Sequence, residues 1–142
     1  MSALVADTGG LLRALASDPR GRPSWPEYAE ALVKASAVVV PALILAEVDY
    51  FLRDDRAAMH ALVRDILDPA STYELEPISA HDLARGVALD AKFKQLGLGL
   101  VDGMVAAVAE RRRIYRVLTI DRRDFQPLRV GARFEKRLEI VP

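Results

Sequence analysis

The chain contains no cysteine, which excludes a disulfide framework, a thiolate metal site and a cysteine nucleophile. Histidine is nearly as scarce: only His60 and His81 occur, both in helix-like polar settings expected at the surface. Zinc-finger chemistry is therefore excluded, and no serine has a histidine beside it in an arrangement that would activate a nucleophile. Long apolar runs are missing too. The longest, Ala37 to Ala46, is interrupted by Pro41 and followed by Glu47, far short of a membrane span. The opening "MSALVAD" lacks the basic region and apolar stretch of a secretory signal, so the expectation is a soluble, cytoplasmic protein with no membrane partner.

What is present fits one domain spanning residues 1–142, a length that buries a sizeable core but does not divide comfortably in two. Charge balances at zero, with 20 basic and 20 acidic residues. Its distribution is uneven, because Arg111 to Arg137 holds ten basic residues against Asp121, Asp124 and Glu135. Such a segment permits a polyanionic partner without requiring one. The triplet Arg111 to Arg113 is read first as favourable placement at a helix carboxyl end.

Short apolar runs at Ala3 ("ALVA"), Val38 ("VVV"), Tyr73 ("YELEPI") and Tyr115 ("YRVLTI") predict strands, with "RLEIV" near the end as a fifth. Helical patterns separate them. Ser24 with Glu27 and Ser79 with Asp82 have capping-box spacing, predicting helices through about Ser36 and toward Gln95. Pro41 suits the first turn of a helix running to about Asp54, a further helix covers Arg56 to Leu67, and Asp102 opens an alanine-rich helix to Arg113. "SDPRGRPSWP" at Ser17 to Pro26 reads as a surface loop. Strands alternating with helices imply an α/β fold, a mostly parallel central sheet with helices on both faces. In such sheets ligands collect at the carboxyl ends of the strands.

Asp7 follows the first strand and Asp121 follows "YRVLTI", so both belong at that edge. Each also has an ordinary explanation as a helix cap, and Asp121 with Asp124 has capping-box-like spacing. Asp102 has the same alternative. Glu47 has none: it shares a helical stripe with Leu43, Ile44, Tyr50 and Phe51, where an unpaired carboxylate is costly. Asp49 faces elsewhere and can pair with Arg53 at i+4, a structural role. Asp7, Glu47, Asp102 and Asp121 together read as a cluster whose mutual repulsion calls for a divalent cation. With oxygen ligands only, Mg²⁺ or Mn²⁺ is the expected occupant.

Four stretches, "VADTGGLL", "VVPALILAEVDYFL", "GLGLVDGMVAAVAERR" and "VLTIDRRDF", give the chain a resemblance to PIN-domain ribonucleases of the VapC toxin type. No single stretch is specific; the ordered set is. The resemblance implies a PIN-like fold, metal-dependent endonucleolytic cleavage of RNA, a cognate VapB-like antitoxin and frequent homodimerisation. Carried over by position, Asp7, Asp102 and Asp121 are metal ligands and Glu47 an indirect ligand or water-positioning base. Asp124 matches a less uniform acid, and Thr8 and Thr119 match supporting hydroxyls. Arg122 and Arg123 are placed to hold flanking phosphates. Gly103 departs from the family's usual alanine, implying altered stability or ligand placement. Two other readings compete: a catalytically silent PIN-like interaction module, and an α/β phosphoacceptor domain. The latter is disfavoured because "VADTGG" lacks the second acid of an Asp-x-Asp pair.

Overall fold

The computed structural model describes residues 2–142. Its elements run β1 (Leu4–Ala6), α1 (Thr8–Leu15), α2 (Pro26–Lys34), β2 (Val38–Pro41), α3 (Ile44–Phe51), α4 (Arg56–Leu67), β3 (Tyr73–Glu76), α5 (Ala80–Lys92), a 3₁₀ turn (Lys94–Leu96), α6 (Gly99–Arg112), β4 (Arg116–Leu118), α7 (Arg122–Phe125), β5 (Arg129–Val130), β6 (Lys136–Arg137) and β7 (Glu139–Val141). The five anticipated strands form one sheet in the order β3-β2-β1-β4-β7, parallel throughout. β5 and β6 make a separate antiparallel pair. Among the described residues no helix is long and apolar enough to cross a membrane.

Consecutive residues of the central strands, Leu4 to Ala6, Val38 to Val40 and Val117 to Leu118, are fully buried. A strand buried at every residue has both faces covered, as parallel sheets require. α6 packs on β1 and β2, α5 lies along α6, and α3 and α4 reach β2 and β3. From β1 the chain builds outward in both directions, to β2 on one side and to β4 on the other. The strand order reverses there, and the crevice beyond the carboxyl ends of β1 and β4 is where such folds hold ligands.

Several local expectations are corrected. Ser24 and Glu27 make no capping box; α2 begins on Pro26, with Trp25 at its cap position and no side-chain cap bond. Proline at N1 already presets the helical φ. Pro41 ends β2 instead of opening a helix, because a residue before proline is driven toward extended backbone. α3 starts three residues later and stops at Phe51. Asp49 pairs with Arg56 at 2.6 Å, not with Arg53, which lies over the Tyr50 ring. α6 starts at Gly99, so Asp102 lies inside the first turn and is not the cap. The Ser79 cap is formed, accepting from the Asp82 N–H at 3.1 Å.

Gly103 departs from alanine for a reason visible in the packing. A Cβ there would stand 2.5 Å from the Gly86 carbonyl oxygen, so α5 and α6 touch backbone to backbone at this crossing. Near the far end of α6, Arg111 bonds Asp82 and Glu76, and Arg112 bonds Glu74 and Glu76. Asp82 is wholly buried, and the Arg111 guanidinium holds its carboxyl below the usual value. These two arginines tie α6 to β3 and α5, as expected of a structural triplet.

Candidate metal centre

The chain from β1 turns directly into α1, leaving Asp7 at the helix cap position but with no side-chain cap bond. Asp7 is 6% exposed, and its carboxylate accepts instead from the Thr119 hydroxyl at 2.8 Å. That hydroxyl also accepts from the Asp121 N–H at 3.0 Å. One threonine at the end of β4 therefore links two acids from neighbouring strands. Asp121 itself caps α7, accepting from the Asp124 N–H at 3.1 Å. The cap and site readings of Asp121 coexist, since one carboxylate oxygen serves the helix and the residue still lines the cleft.

Asp102, Asp121 and Asp124 each offer an oxygen within 4.8 Å of the others. An open cleft of about 340 Å³ is lined by Asp7, Glu47, Asp102 and Asp121 together with Thr8 and Arg13. All four acids singled out in the sequence thus meet in one place, and Asp124 approaches Asp102 and Asp121 from the side. Glu47 arrives differently from expectation. The core-facing residues of α3 are Ile44 and Val48, whereas Tyr50 and Phe51 are each 61% exposed. Of the stripe carrying Glu47 only Ile44 is fully buried, so the face turns out to solvent toward Tyr50 and Phe51. Glu47 stands on the exposed rim, fixed by the Thr8 hydroxyl, which donates to it at 2.6 Å.

The cluster is electrostatically strained in the way a metal site is. Burial, then the Asp7 charge and the bond with Asp124, push the Asp102 carboxyl up to about 8. Asp7 is raised by burial, against the opposing Thr119 bond, and Asp124 by burial and by Asp121. No arginine or lysine forms an ion pair with Asp7, Asp102, Asp121 or Asp124 among the described residues. Converging oxygens without an internal counter-cation suit a hard divalent ion. His60 and His81 are exposed, as expected, and supply no ligand.

A pH dependence follows. A carboxyl whose folded value lies above its unfolded one costs stability: nothing below the unfolded value of 3.8, and the full amount above about 8 for Asp102. In chelator, the melting temperature should fall between pH 5 and pH 8. Mg²⁺ or Mn²⁺ should restore it, with the larger gain at pH 8 because binding requires the deprotonated acids. Thermal melts at both pH values, with and without metal, check this. A melting temperature that rises with pH in chelator would refute it.

The parallel sheet, its crevice at the reversal of strand order and the acids gathered there define a PIN domain. The chain belongs to the PIN-domain family, whose match extends over residues 4–129. Its VapC-type resemblance is borne out by a relative, Ribonuclease VapC26 of Mycobacterium tuberculosis, 29% identical over 136 residues covering 92% of this chain and 97% of that protein. Among solved structures, M. tuberculosis VapC20, a sarcin-ricin-loop-cleaving toxin, superposes with a TM-score of 0.67 at 18% identity, covering 98% of this chain and 99% of that one. VapBC2 of Rickettsia felis, solved with a fragment of promoter DNA, gives 0.56 at 19% identity, covering 82% and 85%. At those identities the two structures speak to the fold alone.

Asp124 and Thr119 are legible in the sequence only in part. The spacing of Asp121 and Asp124 signals a cap, which forms, and a strand-end threonine has a local alternative of its own. Neither pattern distinguishes a side chain that stays local from one that joins a site built across two strands.

Proposed function

We propose that residues 1–142 form a single PIN domain acting as a metal-dependent endoribonuclease, the toxin of a VapBC-type module in the cytoplasm. The observation that carries this is the convergence of Asp7, Glu47, Asp102 and Asp121 in one cleft with no cation paired to the three aspartates, within a family match covering most of the chain. Asp7, Asp102 and Asp121, joined by Asp124, would hold Mg²⁺ or Mn²⁺, which supplies a lowered pKa for a bound water and charge stabilisation at a phosphodiester. Glu47, fixed by Thr8, orients water at the rim. Thr119 keeps Asp7 in register with Asp121. Incubating the purified chain with total cellular RNA, with metal and with chelator, tests the reading: scission that needs the metal is expected, and none under any condition refutes it.

Two further parts of the reading concern partners. A groove between α1, α3 and α4, lined by Leu12, Leu15, Phe51, Leu52 and Leu62, offers apolar surface to a VapB-like antitoxin, with Leu15 43% and Phe51 61% exposed. A homodimer belongs to the same reading. Arg122 and Arg123 are both exposed beside Asp121, where they bind flanking phosphates. Arg122 also donates to the Pro142 carbonyl. Replacing both with alanine should lower the slope of log affinity against log salt by roughly 0.7 for each phosphate of single-stranded RNA no longer neutralised. An unchanged slope would return both to the general surface.

A further inference from the structure

One cation, Arg13, lines the acid cleft among the described residues. Arg13, in the last turn of α1, borders the same cleft as Asp7, Glu47, Asp102 and Asp121, yet it forms no ion pair among the described residues. Its guanidinium lies instead over the Trp25 ring, 3.9 Å from the centroid, and 5.4 Å from that of Tyr28. It also donates to the Tyr28 hydroxyl at 3.4 Å. Trp25 and Tyr28 meet edge to face, with centroids 6.3 Å apart, so the arginine rests on a shaped aromatic ledge.

A guanidinium beside four acids ordinarily collapses onto one of them, since a bidentate pair is its strongest option. Here stacking on the ledge occupies the face of the group and leaves its in-plane N–H donors unspent on carboxylate. A cleft lined by acids repels a polyanion outside the metal position, so an RNA strand needs a fixed cation on the wall. We infer that Arg13, held by Trp25 and Tyr28, binds a backbone phosphate of the RNA neighbouring the one that is cut. Arg13 is a substrate-binding residue, and Trp25 and Tyr28 are positioning residues. This rests on the nuclease reading above and adds a residue and a subsite to it.

The test uses the full chain, total cellular RNA and Mg²⁺, following the rate at which new fragment ends appear as RNA and salt concentrations vary. Arg13→Ala should raise KM by about tenfold, the scale of one charge-assisted interaction, with the effect falling on KM more than on kcat. It should also flatten the salt dependence of KM by about 0.7 in log–log slope. Trp25→Ala should give a smaller change in the same direction, and Trp25→Phe should recover most of it; a purely structural role would not move the salt slope. Thermal melts establish that each variant is folded, and Arg13→Lys serves if Arg13→Ala is not, since it keeps the charge but loses the planar group and should raise KM by a lesser factor. If wild type cuts and KM and its salt slope are unchanged in the folded Arg13 variant, the inference is overturned while the nuclease reading stands. If the same variant instead loses affinity for hexaglutamate, Arg13 serves an acidic peptide and the RNA assignment is overturned. If wild type cuts no RNA, both fall together.

Discussion

Asp102→Asn should reduce RNA cleavage by roughly a hundred- to a thousandfold or more, the scale of removing one preorganised electrostatic group from an active site, while leaving a folded protein. The two halves of that expectation have the same origin. Asp102 lies inside the first turn of α6, where burial and the neighbouring acids push its carboxyl up to about 8. The metal-free fold is therefore destabilised by the charged form of Asp102. Asparagine keeps the shape and removes the charge, so the variant should melt higher than wild type in chelator at pH 8, by at least about 3 °C if roughly 1 kcal/mol is recovered. Its melting temperature should gain less from Mg²⁺ than that of wild type. A folded Asp102→Asn protein that still cleaves with metal would place the chemistry elsewhere. A variant that melts lower in chelator would show that Asp102 is a structural acid.

Gly10→Ala should be the most damaging small change in the chain, costing roughly 2–4 kcal/mol, in the range of severe overpacking, or preventing folding altogether. A Cβ at Gly10 would overlap the Leu118 carbonyl group and stand 2.7 Å from the Thr119 N. Both are backbone atoms of a sheet strand and its end, so neither can yield by changing rotamer. α1 would have to lift from β4. The same lift would separate Asp7, at the start of α1, from the Thr119 hydroxyl that holds it. A denaturant melt of the alanine variant checks the first effect, and metal titration of whatever folds checks the second. Wild-type stability and metal affinity in Gly10→Ala would contradict the close packing of α1 on the end of β4.

These residues also show where the sequence is informative. β1 and β2 are legible because a strand covered on both faces is apolar at every position, and β4 shows through Val117 and Leu118 although it opens on the half-buried Arg116. The α/β alternation follows from them, and with it the placement of Asp7 and Asp121 at one sheet edge. α1 is harder to see, because Gly9 and Gly10 depress helix propensity, and the close approach to β4 that demands Gly10 is a tertiary fact. α6 carries no capping side chain at Leu98, so nothing local marks its start, and Asp102 resembles a helix opener although it lies within the turn. Glu47 stands out in the sequence as a carboxylate on an apolar stripe, a signal that the exposed rim of α3 does not support. What places it is the Thr8 hydroxyl 39 residues away, a contact no periodicity encodes. Arg13 carries no sequence signal for the same reason: its partners Trp25 and Tyr28 lie in and beyond the loop, and the pairing exists only once α1 and α2 are packed.

Whether the acids after β1, on α3 and α6 and after β4 act as one RNA-cleaving site is measured by sequencing the fragment ends that wild type and Asp7→Asn produce from total cellular RNA, with Mg²⁺ or Mn²⁺ and with chelator. Discrete ends that require both the metal and Asp7 are predicted. The same ends from a folded Asp7→Asn protein, or from wild type in chelator, would show that these acids and their metal do not cut the RNA.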